Sequence, residues 1–142
     1  MKLLLITAVA GLTVGLLAGC GGDGGNPPSA PSPSNTPFDS GLRNSGFVFI
    51  RQFPVEGTVP YFCIPHASAG MTGTVNVSSS SSTDTANVAV GPGGSVTFDP
   101  QAVTVRVGGH VRWTWISNNH TVTSGTPTLA QVRASASTRH QR

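Results

Sequence analysis

Charge is the scarcest property of this sequence: Asp, Glu, Lys and Arg make up 9% of its 142 residues, against roughly 25% in an ordinary soluble domain. The eight basic residues are scattered and form no Lys/Arg run. The net charge of +3 and the pI near 9.5 therefore reflect a shortage of acids, which argues against a nucleic-acid partner. Cysteine is also scarce. Two Cys allow at most one bridge, which excludes a disulfide framework. No apolar run reaches the roughly 20 residues that a transmembrane helix needs. What the chain has in quantity is Gly (18) and Pro (11), about a fifth of its length, which points to turns and extended linkers. With 37% hydrophobic residues and six Phe, it can still build a core rather than remain disordered.

The N-terminus reads as an export signal. Met1-Lys2 is followed by an apolar stretch, Leu3 to Leu17, and by small residues in Leu17-Ala18-Gly19-Cys20, which is the pattern of a secretory signal over residues 1–19. A Cys directly after Leu-Ala-Gly resembles the bacterial lipobox, which implies that Cys20 is acylated and heads the mature chain. Residues 20–37 (CGGDGGNPPSAPSPSNTP) have nothing to bury and read as a tether. The expectation is an exported lipoprotein, anchored to a membrane through Cys20 on its extracytoplasmic, periplasmic or cell-surface side. Cys63 is then left without a partner.

From Phe38 onward the pattern is that of strands. Phe47, Phe49 and Phe53 are interleaved with other residues, and Thr58 to Ile64, Thr72 to Val77, Val88 to Val90, Ser95 to Phe98, Ala102 to Val107 and His110 to Ile116 are β-branched, aromatic or alternating. Gly91-Pro-Gly-Gly94, Asp99-Pro100 and Gly108-Gly109 punctuate them as turns. The fold class expected is all-β, an antiparallel sandwich or barrel. Two halves, 38–77 and 88–128, flank a Ser-rich linker at 78–87, and residues 129–142 read as a disordered tail. Neither half is large enough to be stable alone.

The chemistry concentrates in Cys63-Ile-Pro-His66-Ala-Ser-Ala-Gly-Met71, which places a thiol, an imidazole and a thioether within nine residues. Thiolate and thioether suit Cu(I), imidazole suits both oxidation states, and a trigonal His₂Cys site with a weak axial Met needs one more His from elsewhere. The plain alternative is a buried free Cys, a surface His and a core Met. The aromatic strand that runs into Cys63 and the Met five residues after the His favour the metal reading.

The segment Gly57-Thr-Val-Pro-Tyr-Phe-Cys-Ile-Pro-His-Ala-Ser-Ala-Gly-Met-Thr-Gly-Thr-Val75 resembles the copper-binding C-terminal segment of plastocyanin-like cupredoxins, G-x-Y-x-Y-x-C-x2-H-x4-M-x-G. The resemblance implies a Greek-key β-sandwich with Cys63, His66 and Met71 as copper ligands. Phe98 to Ser124 is similar to that family's N-terminal half, F-x-P-x3-V-x-x-G-x-x-V-x-W, which implies His120 as the fourth ligand. Asn118 and Asn119 would orient its loop and hydrogen-bond near the Cys sulfur. The two segments stand in exchanged order, so either the domain is circularly permuted or the chain is a truncated tandem; a single permuted domain is favoured. Outside this set, His110 reads as an exposed strand residue and His140 as solvated, while Trp113 and Trp115 read as core. Asn76-Val-Ser78 and Asn119-His-Thr121 match the glycosylation sequon but carry little weight in a bacterial lipoprotein.

The function implied by the resemblance is electron transfer through one type-1 (blue) copper. Copper storage or delivery is the alternative, although the Met-rich or His-rich tracts that would support it are absent. Multicopper oxidases need His-x-His pairs, and none occurs, so no enzyme activity is expected. The partners expected are redox proteins and, through the lipid on Cys20, a membrane. The assembly expected is a monomer or a dimer that exchanges halves.

Overall fold

The computed structural model describes residues 35–133. Eight strands follow in chain order: β1 (Val48–Phe53), β2 (Gly57–Phe62), β3 (Thr72–Ser78), β4 (Thr85–Val90), β5 (Phe98–Asp99), β6 (Ala102–Arg106), β7 (Gly109–Trp115) and β8 (Thr123–Ser124). They form two four-stranded sheets, one in the order β1-β7-β4-β5 and the other β6-β3-β2-β8. The all-β sandwich read from the sequence is the fold found. Its cause is visible in β3 and β7, where every second residue is buried. Period-two alternation turns Val75 and Val77, and Val111, Trp113 and Trp115, towards one another between the sheets. Trp113 lies at the centre, with its ring 5.4 to 6.3 Å from those of Phe38, Phe49, Phe53 and Tyr61. Both Trp residues are fully enclosed.

Three features depart from the sequence reading. The sheets are mixed rather than antiparallel, because β3 pairs with β6 and β4 with β7 in parallel. Alternation and turn residues reveal strands but not their direction. Here the connections β3–β4, β5–β6 and β6–β7 cross from one sheet to the other, so β6 and β7 return beside the earlier strands β3 and β4 with the same sense. The Ser-rich linker is also shorter than 78–87. Ser78 still belongs to β3 and Thr85 already to β4, which leaves residues 79–84 to cross one end of the sandwich. Ser79 donates to Glu56 Oε1 through its backbone N–H and its hydroxyl, at 3.0 and 2.9 Å. Asp84 pairs with Arg106 at 2.5 Å.

The third departure lies at the two ends of the described segment. Residues 129–133, read as tail, are helical. Thr128 Oγ1 accepts from the Gln131 N–H at 3.2 Å, and Gln131 Oε1 accepts from the Thr128 N–H at 2.8 Å. This is a reciprocal capping box, and its T-x-x-Q pattern was present in the sequence. The remainder of the tail, with His140, lies outside the described residues, as do the signal and Cys20. At the other end, residues 35–37 are bound to the sandwich and are not free tether. Asn35 Nδ2 donates to Val55 O at 2.7 Å, and Arg51 Nη2 donates to Thr36 O at 2.6 Å. Beyond them the chain runs alongside residues 120–124, with Ser40 N–H donating to Val122 O and Arg43 N–H to His120 O.

Candidate metal centre

The centre is assembled where β2 ends and β7 ends, on the same edge of the sandwich. Cys63 follows β2 directly, and its N–H donates to Met71 O at 3.0 Å, which closes the loop 63–71 at its base. Within the loop a short 3-10 helix spans Ile64–Ala69 with Pro65 in its first turn, and Gly70, at φ 74, reverses the chain into Met71. The reversal is completed by the Met71 N–H donating to His66 O at 3.3 Å. The tight ring brings His66 Nδ1 to 3.3 Å from Cys63 Sγ.

His120 arrives from the other half of the chain. After β7 the backbone turns through Ser117–Asn119, with Asn119 at φ 63. Reciprocal backbone bonds with Arg43, 2.9 and 3.2 Å, then hold His120 in place. Trp115 Nε1 donates to His120 O at 3.0 Å. These contacts set His120 Nδ1 at 3.7 Å from Cys63 Sγ. Donor atoms of Cys63, His66 and His120 all lie within 4.8 Å of one another.

A trigonal metal with bonds of roughly 2.0 Å to nitrogen and 2.3 Å to sulfur needs S···N separations of about 3.8 Å. The observed distances need only a small adjustment, so the donor set fits a copper ion by both geometry and chemistry. Met71 is 1% exposed and belongs to the same buried cluster as Cys63. It lines a small cleft of about 110 Å³ with Val96, Phe98 and Gln101.

The environment is poor in charge. Cys63 is fully enclosed and His120 nearly so, while His66 is half-buried. Burial pushes the Cys63 thiol up. Burial first, and the neighbouring His66 second, push His120 down to about 4. An apo site therefore holds a thiol beside a neutral imidazole. A bound cation reverses the logic at sulfur, since a coordinating thiol gives up its proton. The Thr121 N–H points at Cys63 Sγ from 3.3 Å, which favours the thiolate once formed. Thr121 Oγ1 in turn accepts from the Ile64 N–H at 2.8 Å and ties the two loops together.

The structure thus brings together Cys63, His66 and His120, with Met71 at the base of the same loop. Asn118 and Asn119 steady the loop as expected but make no bond to the sulfur. Asn118 Oδ1 accepts from the Ser45 N–H at 3.0 Å, and the Asn119 N–H donates to Asn44 Oδ1 at 3.2 Å. They brace the His120 loop against residues 44–45, and the bond to sulfur comes from Thr121, on the other side of the histidine. Both are exposed, so reaching the sulfur would require them to turn inward. The sequence reading missed Ser117, Thr121 and the indole N–H of Trp115, since no spacing marks a residue that acts through backbone or hydroxyl groups. His110 lies half-buried on β7 opposite Gln52, apart from the centre.

Fold and donor set together describe a two-sheet β-sandwich whose Cys63, His66 and His120, with Met71 buried at the base of the same loop, fit a type-1 copper site. Residues 30–78 match the family model for copper binding proteins of the plastocyanin/azurin family. The matched segment contains Cys63, His66 and Met71, and His120 lies beyond it. No curated protein and no solved structure matches the chain.

Proposed function

We propose that this protein carries single electrons on one type-1 copper, and that it does so outside the cytoplasm, held to a membrane by a lipid on Cys20. The observation that carries the electron-transfer reading is the cluster of Cys63 Sγ and two imidazoles within 4.8 Å, closed over a buried Met71. Copper bound there supplies a one-electron Cu(I)/Cu(II) couple. The chain's part would be to hold the ion with the Cys63 thiolate, the His66 and His120 imidazoles and the Met71 thioether, a soft and borderline donor set suited to both oxidation states. Backbone bonds across the 63–71 loop and between Arg43 and His120 keep that geometry fixed, so little rearrangement accompanies a change of charge.

Of the three close donors only His66 reaches the surface, which makes it the contact point for a redox partner. Exposed apolar residues stand nearby: Leu42 precedes Arg43, Val96 shares the Met71 cleft, and Ile116 follows β7. They support docking of a protein partner over a weakly charged rim. The order of the ligands, three before the linker and His120 after it, is read as circular permutation within a single domain.

The test uses the soluble Cys20→Ser chain loaded with copper. An intense blue band that bleaches on reduction and returns on oxidation is the expected result. Copper binding without that band, or with no reversible couple, would favour storage or delivery. The tether is tested by fractionation: wild type is expected with membranes and Cys20→Ser in the soluble fraction.

A further inference from the structure

His120 is engaged at both ring nitrogens. Nδ1 faces Cys63 Sγ, while Nε2 lies 2.9 Å from Ser117 Oγ, three residues upstream in the same turn. A second and independent feature closes over this pair. Gly91, at the end of β4, has φ +67, and a Cβ there would overlap Ser117 Oγ and lie 2.6 Å from His120 Nε2. The Gly91 backbone is held in that position by its N–H donating to Thr97 O at 3.0 Å. Buried glycine backbone therefore roofs the hydroxyl and the imidazole edge. No other residue type fits there, both for space and for the left-handed backbone.

Resting on the copper reading above, we propose that Ser117 is the positioning residue of the centre. Its hydroxyl oxygen accepts from His120 Nε2–H and so selects the tautomer whose Nδ1 lone pair faces Cys63. Gly91 is the side-chain-free roof that keeps this hydroxyl in place. A neutral imidazole has one protonated and one open nitrogen, and which is which follows from the hydrogen bond that the far nitrogen makes. Partners of this kind on a metal-binding histidine typically contribute about 10- to 100-fold in metal affinity. The arrangement makes the site ready before metal arrives, because neither the ring nor its proton has to move.

The tautomer can be read without copper. In the ¹⁵N-labelled apo Cys20→Ser chain, His120 is expected to be protonated at Nε2. Ser117→Ala should convert it to a mixture or to the Nδ1–H form, whereas Ser117→Thr, which keeps the hydroxyl, should retain the wild-type pattern. In copper-loaded protein, Ser117→Ala should lower copper affinity about 10- to 100-fold and shift the visible band, and Ser117→Thr should restore both. Gly91→Ala, which displaces the hydroxyl without removing it, should act like Ser117→Ala. An Nδ1–H wild-type ring, or a Ser117→Ala protein with unchanged tautomer and affinity, would overturn the assignment. If the wild type shows the Nε2–H ring and binds copper without blue colour, the electron-transfer reading fails while the role of Ser117 stands.

Discussion

At the scale of single residues, the centre combines groups that are costly to bury with a metal that removes the cost. Burial holds the Cys63 thiol protonated without copper, and replacing it by Ser takes away the thiolate donor that sulfur-to-copper charge transfer requires. The Cys63→Ser protein is expected to be colourless when loaded with copper, as absorption spectroscopy will show. Met71→Leu should keep a blue site at a changed potential, measured by redox titration, since the axial bond is weak and chiefly tunes the couple. The buried imidazole of His120 gives the apo protein a pH dependence of definite sign. Its folded pKa, about 4, lies below the unfolded value of about 6.5. Between these values the unfolded chain binds the extra proton, so stability is full above pH 6.5 and falls as the pH drops towards 4. The loss amounts to on the order of 3 kcal/mol. Denaturant unfolding of the apo chain at pH 7 and pH 4.5 should show this decline, and His120→Asn should flatten it.

At the scale of elements, strands were legible wherever a residue alternates between core and solvent. Val75 and Val77 in β3, and Val111, Trp113 and Trp115 in β7, carry that signal. So did the loop 63–71, because its ligands are close in sequence. Strand direction was not legible, since parallel and antiparallel neighbours present the same alternation. Nor were the contributions of Ser117 and Thr121, whose hydroxyl and N–H matter only once two distant loops meet. Gly73 illustrates the same gap. It looks like an ordinary small residue in an alternating strand, yet it faces Tyr61 across the β2–β3 pair. A Cβ at position 73 would run into the Tyr61 ring and lie 2.5 Å from its hydroxyl. That ring is buried and packed at 4.8 Å on Phe98 and 5.4 Å on Trp113, so it cannot move aside cheaply. Gly73→Ala should therefore destabilise the fold by about 1–3 kcal/mol, seen as a lower melting temperature even though no copper donor is touched.

At the scale of the whole molecule, the two halves complete one sandwich within one chain. β1 and β4, from either side of the linker, both pair with β7, while β3 pairs with β6. The linker only crosses one end of the sandwich and need not run its length, so closure within a chain is unstrained. Copper-loaded Cys20→Ser protein is expected to be a monomer with one copper, by light scattering and metal analysis. A persistent dimer would mean that halves are exchanged. Because the donors come from both halves, copper should bind the closed form best and raise the melting temperature with the logarithm of its excess over the dissociation constant.

The place where the chain enters the sandwich has a consequence for direction. Asn35 is fastened to Val55, just past the end of β1, where Phe53 faces Gly109. The copper donors lie beyond Trp115, at the opposite end of β7, about 20 Å away along seven residues of strand. The described chain thus enters the sandwich at the end opposite the metal donors. The end of the sandwich that carries Cys63, His66 and His120 is therefore the end left open to an approaching molecule.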